Sequence, residues 1–133
     1  MQYQQDWVMR QIEIIISILR GLIAGRSANK NKFDEFVRSS SLDDTLRTLL
    51  LEKIEANRIC DAEDLLFDAI DEDRPDALEN AFWFYEKINT LSDEVLRADH
   101  FSREEIIAGL REVCRRYRLP KDAFFEIFEK LRC

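Results

Sequence analysis

The sequence has little of what reactive or strand-rich proteins need. Its 133 residues include three glycines, two prolines and one histidine. Phosphate-cradling loops require clustered glycines, whereas Gly21, Gly25 and Gly109 are isolated, so no P-loop or dinucleotide fingerprint exists. Zinc and carboxylate-bridged iron sites usually need several histidines or thiols, and neither an H-E-x-x-H nor a Glu-x-x-His pattern occurs. We therefore predict no cofactor and no metal site.

The single histidine and the cysteines give no catalytic pair either. His100 has no evident partner for a Ser-His-Asp or Cys-His mechanism, so we interpret it as a polar or capping residue. Cys60, Cys114 and Cys133 are odd in number and widely spaced, which is typical of a reduced, cytoplasmic protein. We expect no enzyme activity and no catalytic residues.

Strand signals are also missing, because no window alternates strictly between apolar and polar residues. The net charge is −7, and the acidic residues are concentrated between residues 42 and 99, while both ends are slightly basic. A nucleic-acid binder normally presents a basic face to phosphates, so we predict no nucleic-acid partner. The acidic run Asp71-Glu72-Asp73 lacks the glycine and the distal glutamate of an EF-hand loop, which favours a solvated helix end.

The stretch from Ile59 to Leu91 is the clearest positive signal. Two apolar stripes with helical spacing flank Arg74-Pro75, which predicts a helical hairpin with an apolar seam. The stripes are Ala62, Leu65, Leu66, Ala69 and Ile70, then Leu78, Ala81, Phe82, Tyr85 and Ile88. Phe67 and Trp83 lie on the other flanks, which indicates packing on two sides. Pro75 suits a first helical turn that Asp73 could cap.

The N-terminal segment predicts a helix from about Gln4 to Ala24 that is apolar around most of its circumference. Glu13 and Arg20 interrupt the apolar run, so it is a poor membrane span. It could dock on its own domain, pair with a second copy or lie on a membrane surface. Because one neighbour cannot cover so much apolar surface, we predict a two-fold homodimer. The candidate self-association residues are Trp7, Ile12, Ile15, Leu19 and Leu22.

The remaining chain divides at one linker. Residues 1–25 form the N-terminal apolar helix, polar residues 26–41 the linker, and residues 42–133 one helical-hairpin domain. We predict helix pairs at about Leu42–Asp73, Pro75–Arg97 and Ser102–Arg132. The helix after Ser92 is short, Ser102 and Glu105 have capping-box spacing, and Pro120 starts a last helix.

A basic cluster surrounds Tyr117 near the end of the chain. It comprises Arg111, Arg115, Arg116, Arg118 and Lys121. Arginines beside an aromatic ring could contact phosphate and stack on a base. The alternative is that basic residues in a last helical turn suit the helix dipole and face the acidic middle of the chain. We favour this second interpretation.

Two resemblances add to these patterns. The helix starts near Leu42 and Pro75 lie about 33 residues apart, so residues 42–90 resemble tetratricopeptide repeats, with Ala62, Leu66 and Ala69 at matching positions. The opening Tyr3-Gln4-Gln5-Asp6-Trp7, with Phe84-Tyr85-Glu86-Lys87 and the run from Phe101 to Glu105, is similar to a family of small helical bacterial proteins of unknown function. This second resemblance implies a bacterial helical protein and supplies no activity, cofactor or site.

We therefore predict an all-α protein in which an N-terminal helix precedes stacked helical hairpins, either tetratricopeptide-like or an irregular helical bundle. The leading hypothesis is a non-enzymatic module that binds a protein or peptide on a concave surface including Trp83 and Tyr85. The alternative is a peripheral membrane protein anchored by the first helix, with Trp7 at the interface and Arg10 and Arg20 near lipid phosphates. Co-sedimentation with anionic vesicles would separate the two.

Overall fold

The structure, a computed structural model, describes residues 2–26 and 45–119. These residues form helices and no strand, which confirms the all-α class. The helices are α1 (Gln2–Arg26), α2 (Thr45–Glu55), α3 (Ile59–Asp71), α4 (Ala77–Asn89), α5 (Asp93–Ala98) and α6 (Arg103–Tyr117). The predicted linker beyond Arg26, the helix start at Leu42 and the helix beginning at Pro120 lie outside the described residues.

Helix α4 is the central element of the fold, because it contacts α1, α2, α3 and α6. Its predicted stripe is buried throughout, and Phe84 on another side of the helix is buried as well. The α3 stripe is buried except for half-buried Leu65. The predicted seam and the packing on two sides are therefore confirmed, since one helix surrounded by four others needs apolar residues on more than one face.

The helix boundaries follow from local capping. Ser102 Oγ accepts a hydrogen bond from the Glu105 backbone N–H at 3.3 Å, and Glu105 Oε2 accepts one from the Ser102 N–H at 3.1 Å, so the predicted capping box is confirmed. Helix α5 has six residues, which confirms the short helix after Ser92. Helix α4 begins at Ala77, two residues after Pro75, and Asp73 does not cap it.

The late start of α4 has a specific cause. The buried Asp76 carboxylate accepts hydrogen bonds from Arg74 Nε at 3.0 Å and from Arg74 Nη2 at 2.8 Å. Asp73 adopts a left-handed backbone with φ 57° in the turn after α3. The prediction that Asp73 caps this helix was wrong because the Arg74–Asp76 pair, and not a side-chain cap, fixes the turn.

Helix α1 packs antiparallel to α4 and shares one hydrophobic core with the later helices. Asn89 Nδ2, at the end of α4, donates to the Met9 carbonyl oxygen at 3.0 Å. Arg20 pairs with Glu79 and Glu86 of α4, each at 2.7 Å. None of the helices in residues 2–26 and 45–119 has both the length and the hydropathy needed to cross a membrane.

The ends of α4 and α6 are joined by a buried arginine. Arg103 donates to the Asn89 carbonyl oxygen at 3.0 Å, to Asn89 Oδ1 at 3.2 Å and to the Leu91 carbonyl oxygen at 2.5 Å. Because Asn89 also holds Met9, this cluster ties α6, α4 and α1 together. It satisfies carbonyl groups that the end of a buried helix would otherwise leave without donors.

Candidate functional site

A groove of about 300 Å³ lies between α3 and α6, which run parallel to each other on one side of α4. We call it the α3–α6 groove. Helix α3 contributes Cys60, Glu63 and Phe67 to its lining, and α6 contributes Glu105, Ala108, Gly109 and Glu112. Phe101, the residue before the Ser102 cap of α6, completes the lining. The α3 residues follow helical i, i+3, i+7 spacing, which places them on one face. Two phenylalanine rings and three carboxylates thus face one cleft.

Glu63, which lines the groove, is held by a residue of the central helix. The Tyr85 hydroxyl donates a hydrogen bond to Glu63 Oε2 at 2.6 Å. The Tyr85 ring is fully buried and meets the Phe84 ring edge-on, with centroids 5.0 Å apart. A buried tyrosine hydroxyl normally needs such a partner, and here the partner is a carboxylate that reaches the groove.

Gly109 is required where α6 passes over this hydroxyl. A Cβ atom added at Gly109 would overlap the Tyr85 hydroxyl and lie 2.5 Å from Tyr85 Cζ and 2.8 Å from Glu63 Oε2. A glycine inside a helix costs about 1 kcal/mol relative to alanine. The close approach of α6 to Tyr85 explains why the sequence accepts that cost.

Burial and negative charge raise the pKa values of three groups in or beside the groove. Burial raises the pKa of Glu63, and the negative charges of Glu105 and Asp64 raise it further, against the lowering effect of the Tyr85 hydrogen bond. Burial and the nearby Glu63 charge raise the pKa of Tyr85 well above its ordinary value. Burial and four surrounding carboxylates raise the pKa of the Cys60 thiol. This thiol therefore stays protonated at neutral pH and is a poor nucleophile.

One end of the groove is neutralised by arginines. Glu112 accepts hydrogen bonds from Arg115 Nε at 2.9 Å and Arg116 Nε at 2.9 Å, and these bonds lower the pKa of Glu112 to about 2. Arg116 also pairs with Asp71 and stacks over the Phe67 ring, 4.9 Å from its centroid. In the described part of the chain, no basic side chain pairs with Glu63 or Glu105. The negative charge of the groove is therefore uncompensated at the end that these two carboxylates line.

The sequence profile of DUF6483, a family of unknown function, matches residues 2–118. The chain belongs to this family. The predicted membership of a family of unknown function is thereby confirmed, and the match includes every helix from α1 to α6. No curated protein and no solved structure matches the chain.

The DUF6483 chain does not present Trp83 and Tyr85 as an exposed surface. Tyr85 is fully buried, and Trp83 is half-buried beneath the Arg47 guanidinium, which lies 5.0 Å from its ring centroid. The Tyr85 ring is therefore not available to the predicted surface, because α4 is enclosed by four helices, while the role predicted for half-buried Trp83 stays a prediction. Tyr85 does not line the groove, and its hydroxyl acts there only through the hydrogen bond to Glu63.

The predicted self-association residues also divide between two faces of α1. Ile12, Ile15 and Leu19 are buried in the chain's own core, and Leu22 is half-buried. Trp7 alone of the predicted set lies on the exposed face, together with Ile14 and Ile18. Three members of the predicted set are therefore not available to a second copy, since they are buried in the core that α1 shares with the later helices, and the role of the other two stays a prediction.

Within the basic cluster of this DUF6483 chain, Arg116 contacts the acidic middle, as predicted for the cluster. Arg116 reaches Asp71, and Arg115 pairs with Glu112 in the same helix. Half-buried Tyr117 has its pKa raised to about 12 by burial and by the charges of Asp73 and Asp76. Lys121 lies outside the described residues. The described residues contain no group of three or more histidine, cysteine or acidic side chains that could hold a metal ion.

Sequence reasoning missed several residues that build the site. Glu63, Glu105 and Gly109 were not singled out as its components, although a glycine inside an otherwise regular helix was an available signal. Asp99 was also missed: its carboxylate accepts the Ile59 backbone N–H and so caps α3 from 40 residues away. The neighbouring His100 is exposed and has a left-handed backbone with φ 56°, so it serves the turn before α6.

Proposed function

We propose that this chain is a non-enzymatic, cytoplasmic interaction module whose α3–α6 groove binds a basic side chain on a segment of a partner protein. The observation that carries the proposal is the pair Glu63 and Glu105, which face the groove without a basic partner among the described residues. A lysine or arginine would supply the missing positive charge. Such a cation would stabilise the charged form of Glu63 most, because burial disfavours that form when no cation is near.

The apolar walls suit the rest of such a side chain. Lysine and arginine carry long methylene stems that pack on apolar surface while the charged head remains with its partner. Phe67 and Phe101 provide that surface on the two sides of the groove. Ligand pockets usually measure about 300–1,000 Å³, so this groove of about 300 Å³ is at the small end and suits one side chain better than a cofactor.

The chemistry of the groove favours binding over catalysis. The raised pKa of Cys60 keeps its thiol protonated, and the Tyr85 hydroxyl is engaged by Glu63. A cation in the groove would favour the ionised form of Glu63. We therefore expect the affinity for a cationic probe to rise with pH as Glu63 ionises.

A titration with paired peptides tests the proposal. One short helical peptide carries a single arginine flanked by leucines, and the second replaces the arginine with citrulline, which is similar in shape and uncharged. Isothermal titration calorimetry should detect binding of the arginine peptide and at least tenfold weaker binding of the citrulline peptide. Equal affinities would overturn the proposal, since charge would then contribute nothing.

A matched pair of variants locates the binding. The double variant Glu63→Gln/Glu105→Gln removes two charges from the groove, and Asp68→Asn/Glu72→Gln removes two exposed charges elsewhere on or beside α3. The groove variant should lose at least tenfold in affinity for the arginine peptide, while the control should stay within about twofold. An equal loss in both variants would show that the peptide senses only the overall negative charge.

A further inference from the structure

Helices α3 and α6 repeat one arrangement of carboxylates at two levels of the cleft between them. At the first level, Glu63 of α3 and Glu105 of α6 line the α3–α6 groove. At the second level, Asp71 at the end of α3 and Glu112 of α6 bind the same guanidinium. Glu105 and Glu112 are seven residues, or about 10 Å, apart along one line of α6. Phe67 is four residues from both Glu63 and Asp71, so the two levels share its ring.

The second level shows what this arrangement binds. The Arg116 guanidinium bridges the two helices there: Nη1 donates to Asp71 Oδ1, and Nε donates to Glu112 Oε2 at 2.9 Å. The same guanidinium lies over the Phe67 ring, 4.9 Å from its centroid. One ring and one carboxylate from each helix therefore form a guanidinium site, which the chain fills with its own arginine.

The first level presents the same kinds of group, and no basic side chain of the described chain pairs with Glu63 or Glu105. Phe67 lines the groove, so Arg116 does not cover its whole ring, and Phe101 adds a second ring. We propose that the basic side chain bound by the groove is an arginine, held as Arg116 is held, against the Phe67 ring and between one carboxylate from each helix. This inference rests on the proposed function and names the residue type that the partner supplies.

The hydrogen bonds already made at the first level leave one carboxylate oxygen on each helix. Glu63 Oε2 accepts from the Tyr85 hydroxyl, and Glu105 Oε2 accepts from the Ser102 backbone N–H. In the part of the chain that the structure describes, neither Oε1 atom accepts a hydrogen bond. A guanidinium that bridges the two Oε1 atoms takes one oxygen from each helix, which is the pattern of Arg116.

A guanidinium suits this site better than an ammonium group for two physical reasons. It is planar and delocalised, so it stacks on an aromatic face while its edge donates to carboxylates. An ammonium group is compact and strongly hydrated, so it loses more hydration beside a partly buried carboxylate such as Glu63. The chain makes the same contact elsewhere, since Arg47 lies 5.0 Å from the Trp83 centroid and Arg20 lies 5.7 Å from the Phe82 centroid.

Two peptides that differ only in their cation test the proposal. Both are short, leucine-flanked helical peptides, one with a single arginine and the other with a lysine in its place. In isothermal titration calorimetry with the full chain, the arginine peptide should bind at least fivefold more tightly than the lysine peptide. Equal affinities, or tighter binding of the lysine peptide, would overturn this inference and leave the proposed function standing. Binding of neither peptide would overturn both.

A matched pair of variants tests whether the ring causes the preference. Phe67→Leu removes the aromatic ring and keeps every carboxylate of the groove, so it should weaken arginine-peptide binding at least fivefold and lysine-peptide binding by less than twofold. Leu65→Ala, at a half-buried position of α3 outside the groove, also removes three carbon atoms and should change neither affinity by more than twofold. A preference for arginine that survives Phe67→Leu would overturn the proposal.

A third variant tests whether the two levels are alike. Arg116→Ala removes the guanidinium that Asp71 binds in the described chain. In NMR titrations with N-acetylarginine methylamide, wild type should show shifts of signals around Glu63 and Glu105, and Arg116→Ala should show a second group of shifts around Asp71. N-acetyllysine methylamide should produce clearly smaller shifts at both levels. If Arg116→Ala gains no second group, a ring with one carboxylate from each helix is not sufficient to bind a guanidinium, and the inference is overturned.

Discussion

The Tyr85 hydroxyl lies 2.6 Å from Glu63 Oε2, and this hydrogen bond connects the buried central helix with the surface groove. It determines how close α6 can approach, because Gly109 lies directly over the hydroxyl. It also holds a partly buried carboxylate in the charged environment of Glu105 and Asp64. The consequences for stability, acid–base behaviour and binding can each be measured.

Tyr85→Phe should destabilise the chain by about 1–3 kcal/mol. The substitution keeps the aromatic packing but removes the hydroxyl that donates to Glu63, and an inadequately partnered buried polar group costs free energy in this range. Urea denaturation checks the loss. In Glu63→Ala, where the acceptor is absent, the same Tyr85→Phe change should cost clearly less. An equal cost in both backgrounds would show that the hydrogen bond does not carry the effect.

Glu63→Gln should increase the stability of the chain relative to wild type as the pH rises from about 4 to 7. Because the folded pKa of Glu63 is raised above its ordinary value of 4.5, its protonated form favours the folded state at low pH, and this contribution is lost as pH rises through the folded pKa. Glutamine stays neutral and escapes that loss. Chemical denaturation at several pH values measures the difference. Glu55→Gln, at an exposed position, is the control, and a difference that falls with pH would contradict the prediction.

Gly109→Ala and Gly21→Ala should have opposite effects on stability. The added methyl group at Gly109 collides with Tyr85, and overpacking of this kind costs about 1–3 kcal/mol, more than the gain in helix propensity. The methyl group at Gly21 meets nothing within 4 Å, so Gly21→Ala should stabilise α1 by up to about 1 kcal/mol. Thermal denaturation of both variants provides the comparison. If Gly109→Ala were as stable as wild type, a Cβ atom at residue 109 would not collide with Tyr85.

Arg103→Ala should destabilise the chain by about 3 kcal/mol and loosen α1. Three buried or partly buried oxygen atoms, two on Asn89 and one on Leu91, would lose their guanidinium donor. Because Asn89 also binds the Met9 carbonyl, we expect the substitution to increase the rate of amide hydrogen exchange more in α1 than in α3. Arg97→Ala, at an exposed position, should change stability by less than about 0.5 kcal/mol. Uniform exchange changes in all helices would contradict the special link to α1.

Local patterns predicted the helices well because they depend on nearby residues. The stripes of α3 and α4 appear where their spacing placed them, and the Ser102–Glu105 capping box forms within four residues. The start of α4 was misplaced because the Arg74–Asp76 pair competes with the expected Asp73 cap. Periodicity alone cannot weigh such side-chain competition.

The site could not be predicted in the same way because its parts come from distant segments. Glu63 and Gly109 meet only after α3 and α6 have both packed on α4. The apolar stripe that includes Tyr85 correctly indicated burial but could not reveal that its hydroxyl reaches a carboxylate on another helix. For α1, residues such as Ile14 and Ile15 are equally apolar in sequence, and only the packing distinguishes the exposed one from the buried one.

The most direct test of the proposed binding function is the pKa of Glu63 measured by carbon-detected NMR with and without the arginine peptide. If the guanidinium enters the α3–α6 groove beside this carboxylate, saturating peptide should lower the Glu63 pKa by at least one unit, while the citrulline peptide at the same concentration should leave it unchanged. A Glu63 pKa that stays the same while the arginine peptide is bound would contradict the proposal that this groove holds a basic side chain.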